Sequence, residues 1–358
     1  MAGLTEISIE PFRGDLEALE KMAHQAWREE YGQASFPNLY RPDFVRYLMR
    51  IAADPKHFVA AYKGKAIVAF LANLPRSFYY QGKFYRAILS CLLVSKREYA
   101  RQGLAQAIIR EALRINQEIT HYDFALLYLE QGHRSFQLVE KLKKEGNHLV
   151  FLKKMHVLGR ILNLDKVAYS EGLKIWEKAV IKLWGSHKVP SVRLGGEFYL
   201  ETLNPAEINQ AMNLLNSYSE KIDLARFWVN QSEVDKELNY PGVSNTLSVK
   251  RDGQLVGILN YLEHEHLGRT SERWAWLNHL YLDSLKVKEK ARIINGFLKY
   301  LSEQGIIGVI EWNKGYYPQS CLYRSRFFPY FRYVNLYAWV FNPELFFSRI
   351  KSIYEVQI

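Results

Sequence analysis

The sequence predicts an α/β (α+β) fold of two similar tandem units, each a mixed, mostly antiparallel sheet flanked by helices. Three observations lead to this. Period-2 and period-3.6 apolar patterns alternate along the chain. Two tight-turn pairs, Lys63-Gly64 and Gln81-Gly82, separate three long alternating runs. Part of that pattern then returns: residues 58–68 align with 247–257 at an offset of 189, sharing the glycine of the turn, and 89–94 align with 277–282 at an offset of 188. A nearly constant offset over two strands and their turn indicates internal duplication.

The elements follow in order. Ile7-Ser8-Ile9 alternates as a strand, and Asp15 is placed to cap a helix through Leu16, Leu19, Met22 and Ala23. A second helix is predicted over 42–53, with Pro42 suited to its first turn. Runs at 57–62, 65–79 and 84–94 form an antiparallel meander. A polar stretch ending in Arg101-Gln102-Gly103 then opens a helix through Leu104, Ala107, Ile108 and Leu113, and Phe124 begins a short apolar strand. A strand, a crossover helix and a buried strand make a parallel pair. A helix over 135–144 and a strand over 149–155 complete the first unit, 1–156. Residues 157–194 read as a basic helical connection, and 195–358 as the second unit, with a helix over 288–301 and a strand over 306–312.

At 358 residues, 48% hydrophobic and 14% aromatic, the chain has apolar material for two cores and no segment of disordered composition. It has no apolar run long enough to cross a bilayer and no signal-peptide pattern at its start, so a soluble, cytoplasmic protein is expected. Cys91 and Cys321, both in apolar stretches, give no disulfide framework and no metal-ligand spacing, and are expected as buried thiols. The net charge of +11 favours an anionic partner: a phosphorylated cofactor, nucleic acid or an anionic lipid surface. Residues 141–193 hold 12 Lys and Arg against 4 Asp and Glu, at helical spacings without interleaved stacking aromatics. That reads as a solvated helical face, and a nucleic-acid partner is not expected.

The segment that carries chemistry is Leu93-Val94-Ser95-Lys96-Arg97-Glu98-Tyr99-Ala100-Arg101-Gln102-Gly103-Leu104-Ala105. It passes from a strand into a helix whose first amides lack partners and carry the positive end of the dipole, a setting for a pyrophosphate. Gly103 allows close backbone approach, small Ala105 leaves room, and Arg101 adds a fork of donors suited to phosphate. This segment resembles the acyl-CoA motif of the GNAT superfamily of N-acetyltransferases, in its tandem-domain type: Gln or Arg, two residues, Gly, one residue, then Gly or Ala. Tyr99, Arg101, Gln102, Gly103, Leu104 and Ala105 suit the family; Ala100 stands where Gln or Arg is usual, and the turn is one residue longer.

The resemblance implies transfer of an acetyl or other acyl group from acyl-CoA to an amine-bearing acceptor. It also implies a splay between the strands at 84–94 and 124–129, with the pantetheine arm beside Leu93, Val94 and Ser95. A backbone N–H there would polarise the acyl carbonyl. The tyrosine that family members place on the following helix is absent, its position being Val139. Tyr323, in a tyrosine-containing helix of the second unit, is the alternative acid, against a reading as an aromatic packed in the core. Glu130, at the end of the buried strand, is the candidate base, against a merely solvated carboxylate. The second unit's own turn, 282–291, contains no glycine. In the run Glu263-His264-Glu265-His266 the histidines share a strand face and could chelate a metal, but no third ligand is recognisable, and a solvated hairpin end is expected instead. A non-catalytic acyl-CoA sensor and an aminoacyl-tRNA-dependent transferase are the competing readings. Acceptor class and oligomeric state are open.

Overall fold

All the elements expected of the first unit form. The computed structural model describes residues 6–99, 102–119, 121–130, 134–144, 148–192, 194 and 197–355. The first copy of the pattern runs β1 (Ile7–Pro11), α1 (Leu16–Tyr31), β2 (Phe36–Pro37), α2 (Pro42–Ala52), β3 (Phe58–Lys63), β4 (Ala66–Tyr80), β5 (Lys83–Ser95), α3 (Leu104–Ile119), β6 (Phe124–Glu130), α4 (Arg134–Lys144) and β7 (Leu149–Ile161). Helices α5 (Leu164–Ser170) and α6 (Ile175–Trp184) connect it to the second copy. That copy runs β8 (Phe198–Thr202), α7 (Ile208–Asn216), β9 (Leu224–Phe227), α8 (Gln231–Leu238), β10 (Ser244–Arg251), β11 (Gln254–Leu267), β12 (Ser271–Tyr281), α9 (Val287–Glu303), β13 (Gly308–Trp312), α10 (Ser320–Arg324), β14 (Phe328–Val340) and β15 (Ile353–Tyr354).

Local chemistry sets the boundaries. The Asp15 carboxylate accepts from the Ala18 amide at 3.0 Å and starts α1. The turn Gln81-Gly82 has φ of 48° and 81°, and Asp252-Gly253 has 49° and 80°. Two consecutive left-handed residues match the twist of the strands they join.

All the strands belong to one sheet. Along its main path the order is β1-β3-β4-β5-β6-β14-β7-β13-β12-β11-β10-β8. From either end it reads the same way: three antiparallel pairings, then one parallel pairing, β5 with β6 or β12 with β13. The duplication seen in the sequence is therefore present in the topology. At the centre the last strand of each copy has crossed over. β14 pairs with β6 of the first copy, β7 pairs with β13 of the second, and the two lie antiparallel to each other. β7 thus extends beyond the predicted end at Met155 to Ile161, and the first residues of the expected helical connection are strand, kept there by β13. A unit boundary at 156 falls inside β7.

Helices cover both faces. Leu19, Met22, Phe44 and Leu48 of α1 and α2 meet Phe58 and Phe70 on one face, while Leu104, Ile108 and Ala112 of α3 meet Val59, Ala69 and Leu71 on the other. The second copy has a core of its own around Phe297, Leu298, Ile258 and Trp228.

Where the copies meet, charges are buried. Arg226 lies 2.5 Å from Glu237 and 3.3 Å from Glu355, and Arg76 lies 3.2 Å from Glu355. The His279 Nε2 atom is 3.1 Å from Glu237, and its Nδ1 is 2.8 Å from the Tyr354 hydroxyl. Burial opposes the charge on Glu237, yet Arg226, the His279 hydrogen bond and Arg76 together hold its carboxyl well below the usual range.

Candidate functional site

The site begins where two strands part. β5 and β6 pair in parallel from Ala87 with Phe124 to Ser90 with Leu127 and no further, although β5 continues to Ser95 and β6 to Glu130. The splay is the one expected. On its other edge β5 stays beside β4 through a bulge. Ala72 opposes Cys91 and Phe70 opposes Val94, so Leu71 faces both Leu92 and Leu93. Leu92 takes φ of 55°, a conformation that costs a residue with a Cβ about 1–2 kcal/mol.

A cavity of about 750 Å³ opens at this splay. β5 lines it with Leu93, Val94 and Ser95, the polar turn with Lys96, Arg97 and Tyr99, and the start of α3 with Gly103, Leu104, Ala105 and Gln106. Six of the eight predicted cofactor residues are thus together: Leu93, Val94, Ser95, Gly103, Leu104 and Ala105. Gln102 is not in the lining, and its Nε2 donates to the Glu98 carbonyl at 2.7 Å, shaping the turn instead. Arg101 lies outside the described residues. Gly103 has φ of +88°, and a Cβ placed there would meet no atom within 4 Å, so open space adjoins the first turn of α3. These features fit a pyrophosphate against backbone amides.

Two walls were not read from the sequence. α1 contributes Ala26, Trp27 and Glu30, and α4 contributes Gln137, Leu138 and Lys141. The Lys141 ammonium donates to Gln106 Oε1 at 2.9 Å, placing a cation at the α3 end of the cavity. The spacing of Gln137 and Lys141, one helical turn, was the available clue. A shallower hollow of about 330 Å³ adjoins, sharing Ala26, Lys96 and Arg97.

The predicted acid and base do not enter this cavity. Glu130 ends β6 and sits 3.6 Å from Arg332, outside the lining. Its nearest link to the cavity is Tyr31, whose phenol is raised to about 12, first by burial and then by Glu130, and whose ring is 5.9 Å from that of Trp27. Tyr323 is on α10, 40% exposed and 3.5 Å from Gln319, so it is neither in the cavity nor in the aromatic core expected for it. Val139 is buried among apolar neighbours. Below the bulge, Cys91 keeps some accessible surface, contrary to the buried thiol expected, yet burial still pushes its thiol up to about 12. Cys321 is buried as expected.

The corresponding helix start in the second copy is built differently. The start of α9 is closed by its own Glu289, whose carboxylate accepts from the Lys286 amide at 2.7 Å and lies 3.5 Å from Arg251. An anion already occupies the helix start there.

His264 and His266 differ from expectation. Both are buried on β11, not solvated. His264 packs between Phe44 and Trp276, at 4.8 and 4.6 Å, and His266 stacks on Trp274 while its Nε2 accepts from Trp276 Nε1 at 3.2 Å. Burial holds His264 well below its ordinary range and brings His266 to about 3, so both rings are neutral. Among the described residues no three ligating side chains gather around a metal position, and no helix is long and apolar enough to cross a membrane.

No family model matches this sequence, and no curated protein matches it. Solved structures do. The chain is similar to Saccharomyces cerevisiae N-myristoyltransferase with bound myristoyl-CoA, at 16% identity and a TM-score of 0.75, over 94% of this chain and 83% of that one. A second structure of the yeast enzyme gives 15% and 0.75, over 94% and 78%. A GCN5-related N-acetyltransferase from Kribbella flavida gives 11% and 0.55, over 96% and 73%. At these identities the likeness is one of fold.

Proposed function

We propose, from the premise that this chain has the GNAT-superfamily fold with two tandem units, that it is an acyl-CoA-dependent N-acyltransferase. The first unit, within 1–156, takes the donor, and the second, within 195–358, shapes the acceptor side. One observation carries this reading: an open strand splay, a left-handed bulge and a glycine-led helix start meet in a single cavity. The pantetheine arm would lie in the splay along Leu93 to Ser95. The pyrophosphate would lie on the amides after Gly103, with Lys96, Arg97 and Lys141 adding charge. At the bulge, backbone groups released from β4 supply a donor for the thioester oxygen.

In the transfer, the acceptor nitrogen attacks the thioester carbon, the C–S bond breaks, and the nitrogen loses a proton as the thiolate gains one. Glu130, outside the cavity lining and beside Tyr31, is the proposed base for an acceptor that enters from that side. Tyr323, exposed outside the cavity, has no part in this scheme. The family resemblance implies acetyl-CoA or another acyl-CoA as donor, while the yeast enzyme of similar fold binds myristoyl-CoA. Donor length is therefore a variable of the test.

Calorimetry with acetyl-, octanoyl- and myristoyl-CoA is expected to show binding of at least one; no heat from any at millimolar concentration would overturn the reading. Thiol release on adding amine acceptors, free and peptide N-terminal, marks the enzyme. Tight binding without thiol release from any acceptor would assign the chain as a non-catalytic acyl-CoA binder, the reading that the missing tyrosine at Val139 favours.

A further inference from the structure

Helix α6 is turned inside out. Seven of its ten residues are apolar, but only Ile181 is buried. Ile175 is 87% exposed, Trp176 57%, Val180 56%, Leu183 91% and Trp184 52%. At about 100° per residue these five and Ala179 fall on one half of the helix circumference. A helix with this composition ordinarily buries that half against its own protein. The helix is nonetheless firmly placed. The Lys174 amide donates to Glu177 at 2.6 Å to start it, Gly185 ends it in a left-handed cap, and Arg326 donates to the Gly185 carbonyl at 3.4 Å.

Charge identifies what the face meets. Lys174, Lys178 and Lys182, one turn apart, form a row that starts opposite the apolar half and reaches its edge at Lys182, beside Ile175, and Lys188 follows just beyond the cap. Between Lys174 and Lys188 the only carboxylate is Glu177. The whole chain carries +11. Two copies packed through this face would bring together two chains that each carry this positive charge. Exposed tryptophan and leucine flanked by lysine suit the boundary of an anionic bilayer, where indole rings sit at headgroup level and ammonium groups reach the phosphates. A helix of ten residues, about 15 Å long, can lie in that boundary and cannot cross it.

We propose that α6 docks the protein on an anionic lipid surface, with Trp176, Leu183 and Trp184 in the interface, Lys182 at its edge, and Lys174 and Lys178 adding positive charge behind it. This inference is independent of acyl transfer.

The test is co-sedimentation of the full chain with vesicles of phosphatidylcholine alone and of roughly three parts phosphatidylcholine to one of phosphatidylserine. Binding to the anionic vesicles is expected, weakened by salt and accompanied by a blue shift of tryptophan emission. The variant W176S/L183S/W184S is expected to lose about a hundredfold in partitioning. K178Q/K182Q is expected to lose about twenty-fivefold on anionic vesicles only. These side chains are exposed, so circular dichroism should show both variants folded, and the lysine pair decides the matter if the triple variant is not. Absence of binding to anionic vesicles at low salt would overturn the proposal, as would binding unchanged by either variant. A dimer in light scattering that the triple variant turns into a monomer, without vesicle binding, would assign the face to a second copy instead.

Discussion

Leu92 and Gly103 both hold left-handed backbone beside the cavity, and only one is a glycine. For Gly103, replacement by alanine puts a Cβ into the open space next to the first turn of α3 and strains the backbone by about 1–2 kcal/mol. Gly103→Ala is expected to weaken acyl-CoA binding at least tenfold by calorimetry. Gly82→Ala, equally left-handed in a hairpin, should lower the melting temperature without touching binding. His264 gives a second test. Neither ring nitrogen has a partner, and burial keeps the ring neutral. Its unfolded counterpart takes up a proton near pH 6.5, so stability is lost as pH falls below that value. In His264→Leu this contribution is gone, and between pH 7 and 5 the variant should lose about 2 kcal/mol less than the parent chain in denaturant titrations. Gly103 was legible because glycine before a helix has few other uses. Leu92 was not, since nothing in a run of Leu and Val marks the one residue that a bulge turns over. The alternation of His264 and His266 showed in the sequence, but their burial comes from Phe44, Trp274 and Trp276, far along the chain.

At the scale of elements, α3 and α9 are the same helix in two copies with opposite uses. α3 leaves its start open, whereas α9 fills its own with Glu289. Glu289→Ala is expected to cost about 1 kcal/mol through the lost cap, seen as a lower melting temperature, with no second acyl-CoA site appearing in calorimetry. The sequence already distinguished these helices, because the turn before α9 contains no glycine. It also placed the meander, α3 and β6, where period and turn residues agree. It misjudged the first residues of 157–194, which continue β7, while the helices expected there form as α5 and α6. There the helical spacing of α6 is real, but periodicity shows only that an apolar face exists, not which way it points. β7 overran its predicted end because β13, more than 140 residues later, pairs with it.

At the scale of the molecule, the copies are joined by charge as well as by strands. Glu237 on α8 accepts from Arg226 and from Trp228 Nε1, while Arg76 of the first copy reaches Glu355 near the end of the chain. Glu237→Gln should cost roughly 3 kcal/mol, because it leaves Arg226 buried with less countercharge. In the folded chain this carboxyl stays ionised far below pH 4.5, where an unfolded chain would protonate it. Its stabilisation is thus full above pH 4.5 and lost as pH falls below. Melting temperature against pH should be flatter in the variant below about 4.5 than in the parent chain. The duplication was legible as a constant offset, but the exchange of β7 and β14 was not, since neither strand carries a local mark of its partner. That exchange also sets a schedule. During synthesis β6 emerges roughly 200 residues before β14, and at about 5–20 residues per second the wait is on the order of 10–40 s. Until then the outer edge of β6 is bare, so a nascent chain or one cut short by an early stop codon presents that edge for aggregation or chaperone capture. Only a ribosome that has passed the codons for β14 releases a chain able to complete the sheet of its first copy.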